Sequence, residues 1–150
     1  MRKIHFIGAG GAGTNIIQEH IRIPSESMGF PEVKYTVVDT SESNFRDVDD
    51  ITIGRYFIPG VDGAGSNRRK GYKTCESHVD KILEKFAPEA LNVVVFSATG
   101  GSGSSCGPLI LKELIKREYD AIALIIGGDT NGVAANNTLA ALSVAFEWDF

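Results

Sequence analysis

The sequence predicts an α/β fold built on a doubly wound, mostly parallel sheet with helices on both faces. Short runs of β-branched and aliphatic residues alternate along the chain with segments whose apolar residues recur at helical spacing. Glycine is frequent, at 17 of 150 residues against a typical ~7%, and the glycines cluster near the ends of predicted strands. A chain of this length is expected to form one domain, residues 1–150, with its own hydrophobic core.

The first half of the chain is predicted to contain three strands and one helix. Residues 4–7, 33–38 and 51–58 read as strands, and the last of these is expected to be a short edge strand. Residues 14–23 place isoleucines at helical spacing, and Pro24 ends that helix.

The second half is predicted to alternate three helices with two buried strands. The strands, residues 92–98 and 121–126, are apolar runs of the kind found inside parallel sheets. Helices are expected at residues 73–86, 108–118 and 133–146, where apolar residues fall on one face. The second of these helices begins with a proline, which suits a first helical turn.

Charge and cysteine content argue against several classes of protein. Fifteen basic and nineteen acidic residues give a net charge of −4, which argues against direct nucleic-acid binding. No apolar run approaches the roughly 20 residues of a membrane span, and the N-terminal run is too short for a signal peptide. Cys75 and Cys106 have no C-x-x-C spacing and no histidine cluster beside them. We therefore expect a cytoplasmic protein with two reduced thiols and no membrane association.

The first glycine-rich loop, residues 8–15, joins the first strand to the first helix. Glycines let the backbone approach a phosphate, and the amides at a helix start stabilise its charge. A second interpretation stays open, because Gly8, Gly10 and Gly13 form the G-x-G-x-x-G pattern and Asp39 ends the second strand. In a dinucleotide fold these residues would bind NAD, so an NAD-binding oxidoreductase or sensor domain is an alternative.

The second loop, residues 99–108, reads Thr-Gly-Gly-Ser-Gly-Ser-Ser-Cys-Gly-Pro and follows another buried strand. Its hydroxyls and amides can surround a phosphate chain from the side opposite the first loop. A dinucleotide site has no need of a second such loop, and a P-loop would require a Lys-Ser/Thr pair. A flexible turn without a ligand is the remaining alternative. Together the two loops favour a nucleotide held by its phosphates.

The second loop is similar to the GGGTGTG/S signature loop of tubulin and the bacterial division protein FtsZ. Residues 8–15 resemble the GGGGGN loop of that family, and residues 60–68 resemble its GxGAGxNP loop. The three motifs occur in the family's order, and their wording looks closest to the spindle-forming tubulins of large bacteriophages. The resemblance implies the Rossmann-like GTPase domain of the tubulin/FtsZ type.

This resemblance implies a site for GTP or GDP, with Mg²⁺ held through the nucleotide phosphates and not by metal ligands of the chain. The first loop would face the α- and β-phosphates and the second the β- and γ-phosphates. The third would sense the γ-phosphate, with Arg68 as its charge partner, and Asp129 or Asn131 would contact the ribose. The implied site residues are Gly10, Gly11, Ala12, Gly13, Thr14, Asn15, Ala64, Gly65, Ser66, Asn67, Arg68, Thr99, Gly100, Gly101, Ser102, Gly103, Ser104 and Asp129.

The resemblance also implies partners and activity. Proteins of this family assemble head to tail with copies of themselves, and a neighbouring subunit's acidic loop completes the site for hydrolysis. That loop, the helix that recognises guanine and the second domain of the family would all follow residue 150. We therefore expect a filament-forming GTPase with no catalytic residue in this chain, which alone would be inactive or very slow. A nucleotide-dependent scaffold without hydrolysis is a further alternative.

Overall fold

The structure is a computed structural model that describes residues 2–23, 32–48, 51–61, 68–128 and 132–146. Its strands are β1 (Ile4–Ala9), β2 (Val33–Asp39), β3 (Ile53–Phe57), β4 (Leu91–Ser97) and β5 (Ala121–Ile126). Its helices are α1 (Gly10–Arg22), α2 (Arg68–Glu76), α3 (Val79–Lys85), α4 (Gly101–Lys116) and α5 (Val133–Phe146), with a short 3-10 helix at Glu42–Phe45.

All five strands are parallel and form one sheet in the order β3-β2-β1-β4-β5. The chain moves outward from β1 to β3, returns across the sheet to β4, and then moves outward to β5. This is the doubly wound arrangement that the alternation of strands and helices predicts. The predicted fold class is therefore confirmed, including the position of β3 at an edge of the sheet.

The core lies on both faces of this sheet because successive strand residues point in opposite directions. On one face, Val94 and Phe96 of β4 belong to a buried cluster with apolar side chains of α2, α3 and α4. On the other face, Val95 packs in a cluster with Ile17 of α1 and Phe45 of the 3-10 helix. These two clusters hold α1 and α4 on opposite sides of the strands whose ends they follow.

Two helices begin earlier than the sequence predicts. α1 begins at Gly10 and α4 at Gly101, so both glycine-rich loops are largely the first turns of helices. Glycine is a weak helix former, but packing requires it here. A side-chain carbon at Gly13 would clash sterically with the carbonyl oxygen of Val95, and one at Gly107 would clash with the ring of Phe96.

The predicted helix at residues 73–86 is two helices, α2 and α3, separated by a short turn. The backbone amide of His78 donates to the carbonyl of Cys75, 2.9 Å away, which tightens the chain at that point. The hydroxyl of Ser77 donates to the carbonyl of Thr74 at 2.8 Å. The helical apolar spacing still placed the right side chains in the core, because Cys75 and Val79 are both buried.

The prediction of two reduced thiols is wrong. Cys75 of α2 and Cys106 of α4 form a disulfide, with their Cα atoms 5.4 Å apart. Both side chains are fully buried in the cluster that packs these helices on one face of the sheet. Their separation of 31 residues carries no spacing motif, so only the packing of α2 against α4 reveals the pair.

The prediction that residues 121–126 form a buried strand is also wrong in part. The strand forms, but among the described residues its one neighbour in the sheet is β4. Ile122 and Leu124 retain 52% and 49% of their surface exposed.

No described helix is both long and apolar enough to cross a bilayer.

Candidate functional site

A cleft of about 390 Å³ opens where the carboxyl ends of β1 and β4 lie side by side. This is the point where the strand order reverses, the usual place for a ligand in an open α/β sheet. Both glycine-rich segments and the chain that follows β2 converge there. The cleft is lined by Ala9, Gly10, Gly11, Ala12, Asp39, Ser41, Asn44, Ser97, Gly100, Gly101, Ser102 and Gly103.

The starts of α1 and α4 touch each other at the floor of this cleft. Gly10 has a φ of +74°, a conformation that glycine adopts without strain. A side-chain carbon at Gly10 would lie 2.6 Å from the backbone nitrogen of Gly103. One at Gly103 would lie 2.9 Å from the carbonyl oxygen of Ala9. Glycine at both positions therefore permits the two backbones to meet.

Neither helix start is capped by the side chain of the residue that precedes it. The residues that precede the helices, Ala9 and Gly100, make no side-chain capping hydrogen bond, and neither first turn contains an acidic residue. The first amides of a helix lack partners within the helix, and the helix dipole adds a partial positive charge. Two such ends meeting at one cleft form a site for an anion, and the glycines expose the backbone to it.

The hydroxyls of the second loop order the loop itself. The Ser105 hydroxyl donates to the carbonyl of Gly101 at 2.7 Å, and that of Ser104 donates to the carbonyl of Gly100. The hydroxyls of Ser102 and Thr40 lie 2.5 Å apart, which ties the first turn of α4 to the end of β2. These contacts fix the backbone that lines the cleft.

Asp39 is held by the segment that follows it. One carboxylate oxygen accepts hydrogen bonds from the amides of Thr40 and Ser41 at 2.7 and 3.1 Å. The other accepts from the side-chain amide of Asn44 at 2.6 Å. The carboxylate is 1% exposed and orders this turn. Both oxygens therefore already serve the turn, which weakens the interpretation of Asp39 as a free ribose acceptor for NAD.

The structure brings together only part of the predicted site. Gly10, Gly11, Ala12 and the segment 100–103 line the cleft. The remaining described members lie beside it. Gly13 packs against β4, Thr14 is fully buried, Asn15 is exposed, the Thr99 hydroxyl pairs with that of Ser97 at 2.9 Å, and Ser104 is buried within α4.

Several other predicted site residues fall outside the described part of the chain. Arg68 begins α2, but its side chain is not among those described. The predictions at Ala64, Gly65, Ser66, Asn67, Asp129 and Asn131 likewise lie outside the described residues.

The segment after β2 is not part of the phosphate site that the sequence predicts. Ser41 and Asn44 line the cleft, as do Ala9 and Ser97. Asp39 also lines it, but the sequence predicts for it only a role as a ribose ligand of NAD. The polar run that directly follows the apolar strand 33–38 was the available signal. Since β2 is the neighbour of β1, its carboxyl end opens at the same edge of the sheet.

Comparison with known proteins identifies relatives of the chain. A phage tubulin-like protein from Pseudomonas phage PhiPA3 is 35% identical over 102 residues, which cover 67% of this chain and 32% of that protein. Among solved structures, CetZ from Methanosaeta thermophila has a TM-score of 0.80 at 24% identity, covering 98% of this chain and 43% of that one. The protofilament of TubZ from Bacteriophage PhiKZ gives 0.77 at 24% identity, covering 94% of this chain and 43% of that one.

These solved structures share the fold of this chain, and this chain spans less than half the length of the relatives named above. The family model for the GTPase domain of the Tubulin/FtsZ family matches residues 3–143. That range includes every described strand and both glycine-rich helix starts. The chain therefore belongs to the Tubulin/FtsZ family and carries its GTPase domain.

Proposed function

We propose that the chain binds GTP or GDP in the cleft between β1 and β4, as the nucleotide-binding part of a GTPase that assembles with copies of itself. One observation carries the proposal. Two helix starts without a side-chain cap from the preceding residue meet through Gly10 and Gly103 at a cleft whose twelve lining residues include five glycines. Such a surface suits a chain of phosphates, because the amides and helix dipoles of both segments act on the same negative charge.

Within this proposal each segment has a distinct task. The segment 10–12 binds the α- and β-phosphates, and the segment 100–103 binds the β- and γ-phosphates. Residues 64–67, with Arg68, sense the γ-phosphate, and Asp129 contacts the ribose. These assignments follow the family resemblance, and the shared cleft supports the first two because it brings those segments together.

Mg²⁺ would bind at this site through the oxygens of the nucleotide phosphates. The described residues contain no group of three His, Cys, Asp or Glu side chains placed to hold a metal. Mg²⁺ is commonly held by phosphate oxygens and water with few protein ligands. When bound, the ion neutralises phosphate charge, while the chain contributes the amides and hydroxyls that orient the phosphates.

We propose further that hydrolysis is completed by a neighbouring copy. Among the described residues that line the cleft, Asp39 carries the one carboxylate, and its hydrogen bonds commit it to the turn after β2. A carboxylate that orients the attacking water would then come from outside this lining. One relative of this fold is described as a protofilament, and head-to-tail assembly of this chain would bring a second copy to the open cleft.

Competition among GTP, ATP and NAD tests the binding proposal, with a matched pair of variants at Gly100. A side-chain carbon there meets no atom within 4 Å, so substitution places a new group in the cleft without disturbing the packing. Gly100→Asp adds a negative charge beside the phosphates, whereas Gly100→Asn adds the same shape without charge. GTP affinity should fall at least about tenfold further in the aspartate variant than in the asparagine variant.

The outcomes separate the candidate functions. Equal GTP binding in both Gly100 variants, or displacement of GTP by NAD, would contradict the proposed site. Gly103 is less suitable for this test because any side chain there meets the carbonyl of Ala9.

Dependence on protein concentration tests the shared site. If a neighbour completes it, phosphate release per molecule of full-length protein should rise with concentration and appear together with GTP-dependent sedimentation. A specific rate that is constant across concentrations would rule out completion by a neighbour. GTP binding and assembly without any phosphate release would instead indicate a non-hydrolysing scaffold.

A further inference from the structure

The side chain of Asn137 connects α5 to the start of α4. It is 4% exposed, although its neighbour Asn136 on the same helix is exposed. The Asn137 side-chain nitrogen donates to the carbonyl oxygen of Thr99 at 3.0 Å and lies 3.5 Å from that of Gly100. These are the two carbonyls that directly precede the first residue of α4.

Peptide geometry converts this contact into a statement about the cleft. In a planar trans peptide the carbonyl points opposite to the amide of the next residue. When Asn137 draws the carbonyls of Thr99 and Gly100 toward α5, the amides of Gly100 and Gly101 are turned the other way. Both glycines line the cleft. Two donors at the start of α4 are thereby oriented away from α5.

The glycines of this segment need contacts from other residues to fix the orientation of their peptide planes. Glycine has more backbone freedom than any other residue, so the order of its peptide planes must come from contacts. The Ser104 and Ser105 hydroxyls bind the carbonyls of Gly100 and Gly101 from within α4. The contact from Asn137 acts on the preceding peptide, at the carbonyl of Thr99.

We infer that Asn137 is a positioning residue for nucleotide binding, which holds the amides of Gly100 and Gly101 toward the phosphates without itself touching the ligand. This inference rests on the proposed function. It makes α5 part of the apparatus that orders the phosphate-binding backbone. A purely structural role would instead confine the effect of Asn137 to the attachment of α5.

Variants of Asn137 and Asn136 give a matched test in the full-length protein. Asn137→Asp keeps the size of the side chain but turns a carboxylate toward two carbonyls, and Asn137→Ala removes the donor. Asn136→Asp makes the same charge change one residue earlier, at an exposed position. GTP affinity should fall about tenfold or more in both Asn137 variants and stay within about twofold in Asn136→Asp.

Amide resonances provide a readout that a purely structural role would not change. In the wild type, added GTP should shift the backbone amide signals of Gly100 and Gly101 and the side-chain amide signals of Asn137. In Asn137→Ala the GTP-induced shifts of the two glycine amides should shrink at saturating nucleotide. The wild-type measurement keeps the test decisive even if a variant does not fold.

The result that overturns the inference is specific. If both Asn137 variants bind GTP as tightly as the wild type does, Asn137 has no positioning role. The same conclusion follows if the side-chain amide signals of Asn137 in the wild type do not shift when GTP is added. Lower thermal stability with unchanged affinity would assign it to structure alone. If the wild type itself does not bind GTP, the proposed function fails, which is a different result.

Discussion

Gly10 and Gly103 lie so close that a side-chain carbon on Gly10 would approach the backbone nitrogen of Gly103 to 2.6 Å. The two residues belong to different glycine-rich segments and are brought together by the pairing of β1 with β4. The cleft therefore depends on backbone contact between two helix starts. Substitutions at this contact should affect folding and nucleotide binding together.

Gly10→Ala should destabilise the fold by about 1–3 kcal/mol, because the alanine must adopt a positive φ and also displace the start of α4. Urea unfolding measures this change, and GTP affinity should fall with it. Gly100→Ala is the control for the unfolding measurement alone, since Gly100 has a φ of −75° and open space around it. A Gly10→Ala variant as stable as the control would show that the helix starts can separate freely.

Acid should destabilise the protein through His5. Its ring is fully buried in β1, with Nε2 2.8 Å from the Thr36 hydroxyl, and Nδ1 has no hydrogen-bond partner among the described residues. Burial, with a smaller contribution from the charge of Lys34, lowers the pKa of His5 from 6.5 to about 3. The folded protein therefore keeps this ring neutral at a pH where the unfolded chain would protonate it.

The sign of the effect follows from that lowered pKa. The stability due to neutral His5 is complete above pH 6.5 and is lost as the pH falls from 6.5 toward 3. The slope should approach about 1.4 kcal/mol per pH unit. Urea unfolding between about pH 7.5 and pH 4.5 measures it, and His5→Gln should flatten the curve. Ring proton signals of His5 that titrate with a midpoint near 6.5 would contradict this account.

Reduction of the Cys75–Cys106 disulfide should lower the free energy of unfolding. The bond closes a loop with a sequence separation of 31 residues, for which the chain-entropy model gives about 3–4 kcal/mol. Unfolding with and without a phosphine reductant measures the difference. The double variant Cys75→Ala and Cys106→Ala should not respond to the reductant. Two titratable thiols in the denatured, unreduced protein would show that the bond is not formed.

Gly107→Ala should destabilise α4 by overpacking. A side-chain carbon at Gly107 would lie 2.7 Å from Cβ of Phe96 and closer still to its ring, and Phe96 is fully buried. We expect a cost of about 1–3 kcal/mol by thermal or urea unfolding. Adding Phe96→Leu should recover part of it, since the smaller side chain makes room. Strictly additive losses in the double variant would argue against this contact.

The order of strands and helices could be predicted from sequence because each element carries its own periodicity. The position of the cleft could also be predicted, because glycine-rich segments follow β1 and β4 and the carboxyl ends of parallel strands lie at the same edge of the sheet. The helix starts at Gly10 and Gly101 could not. There the packing against neighbouring strands overrides the low helix propensity of glycine.

The contacts between elements distant in sequence were beyond the sequence as well. In the sequence Asn137 is one of several polar residues of a mostly apolar helix, and only the packing of α5 shows its contact with the carbonyl of Thr99. Cys75 and Cys106 carry no spacing motif, and the packing of α2 on α4 alone joins them. The sequence places Asp39 at the end of a strand, but its three hydrogen bonds to the following turn depend on the local backbone path.

The half-exposed strand β5 has a practical consequence for assembly experiments on residues 1–150 alone. Ile122 and Leu124 give it an exposed apolar surface, and a strand at the edge of a sheet can pair nonspecifically with another molecule. Turbidity from such sticking grows with concentration, as genuine filament growth does. Turbidity from nonspecific association should, however, be independent of which nucleotide is present, and it should be lower in the Leu124→Lys variant. Scattering that disappears when GTP is exhausted belongs to filaments, and scattering that persists reports adhesion through β5.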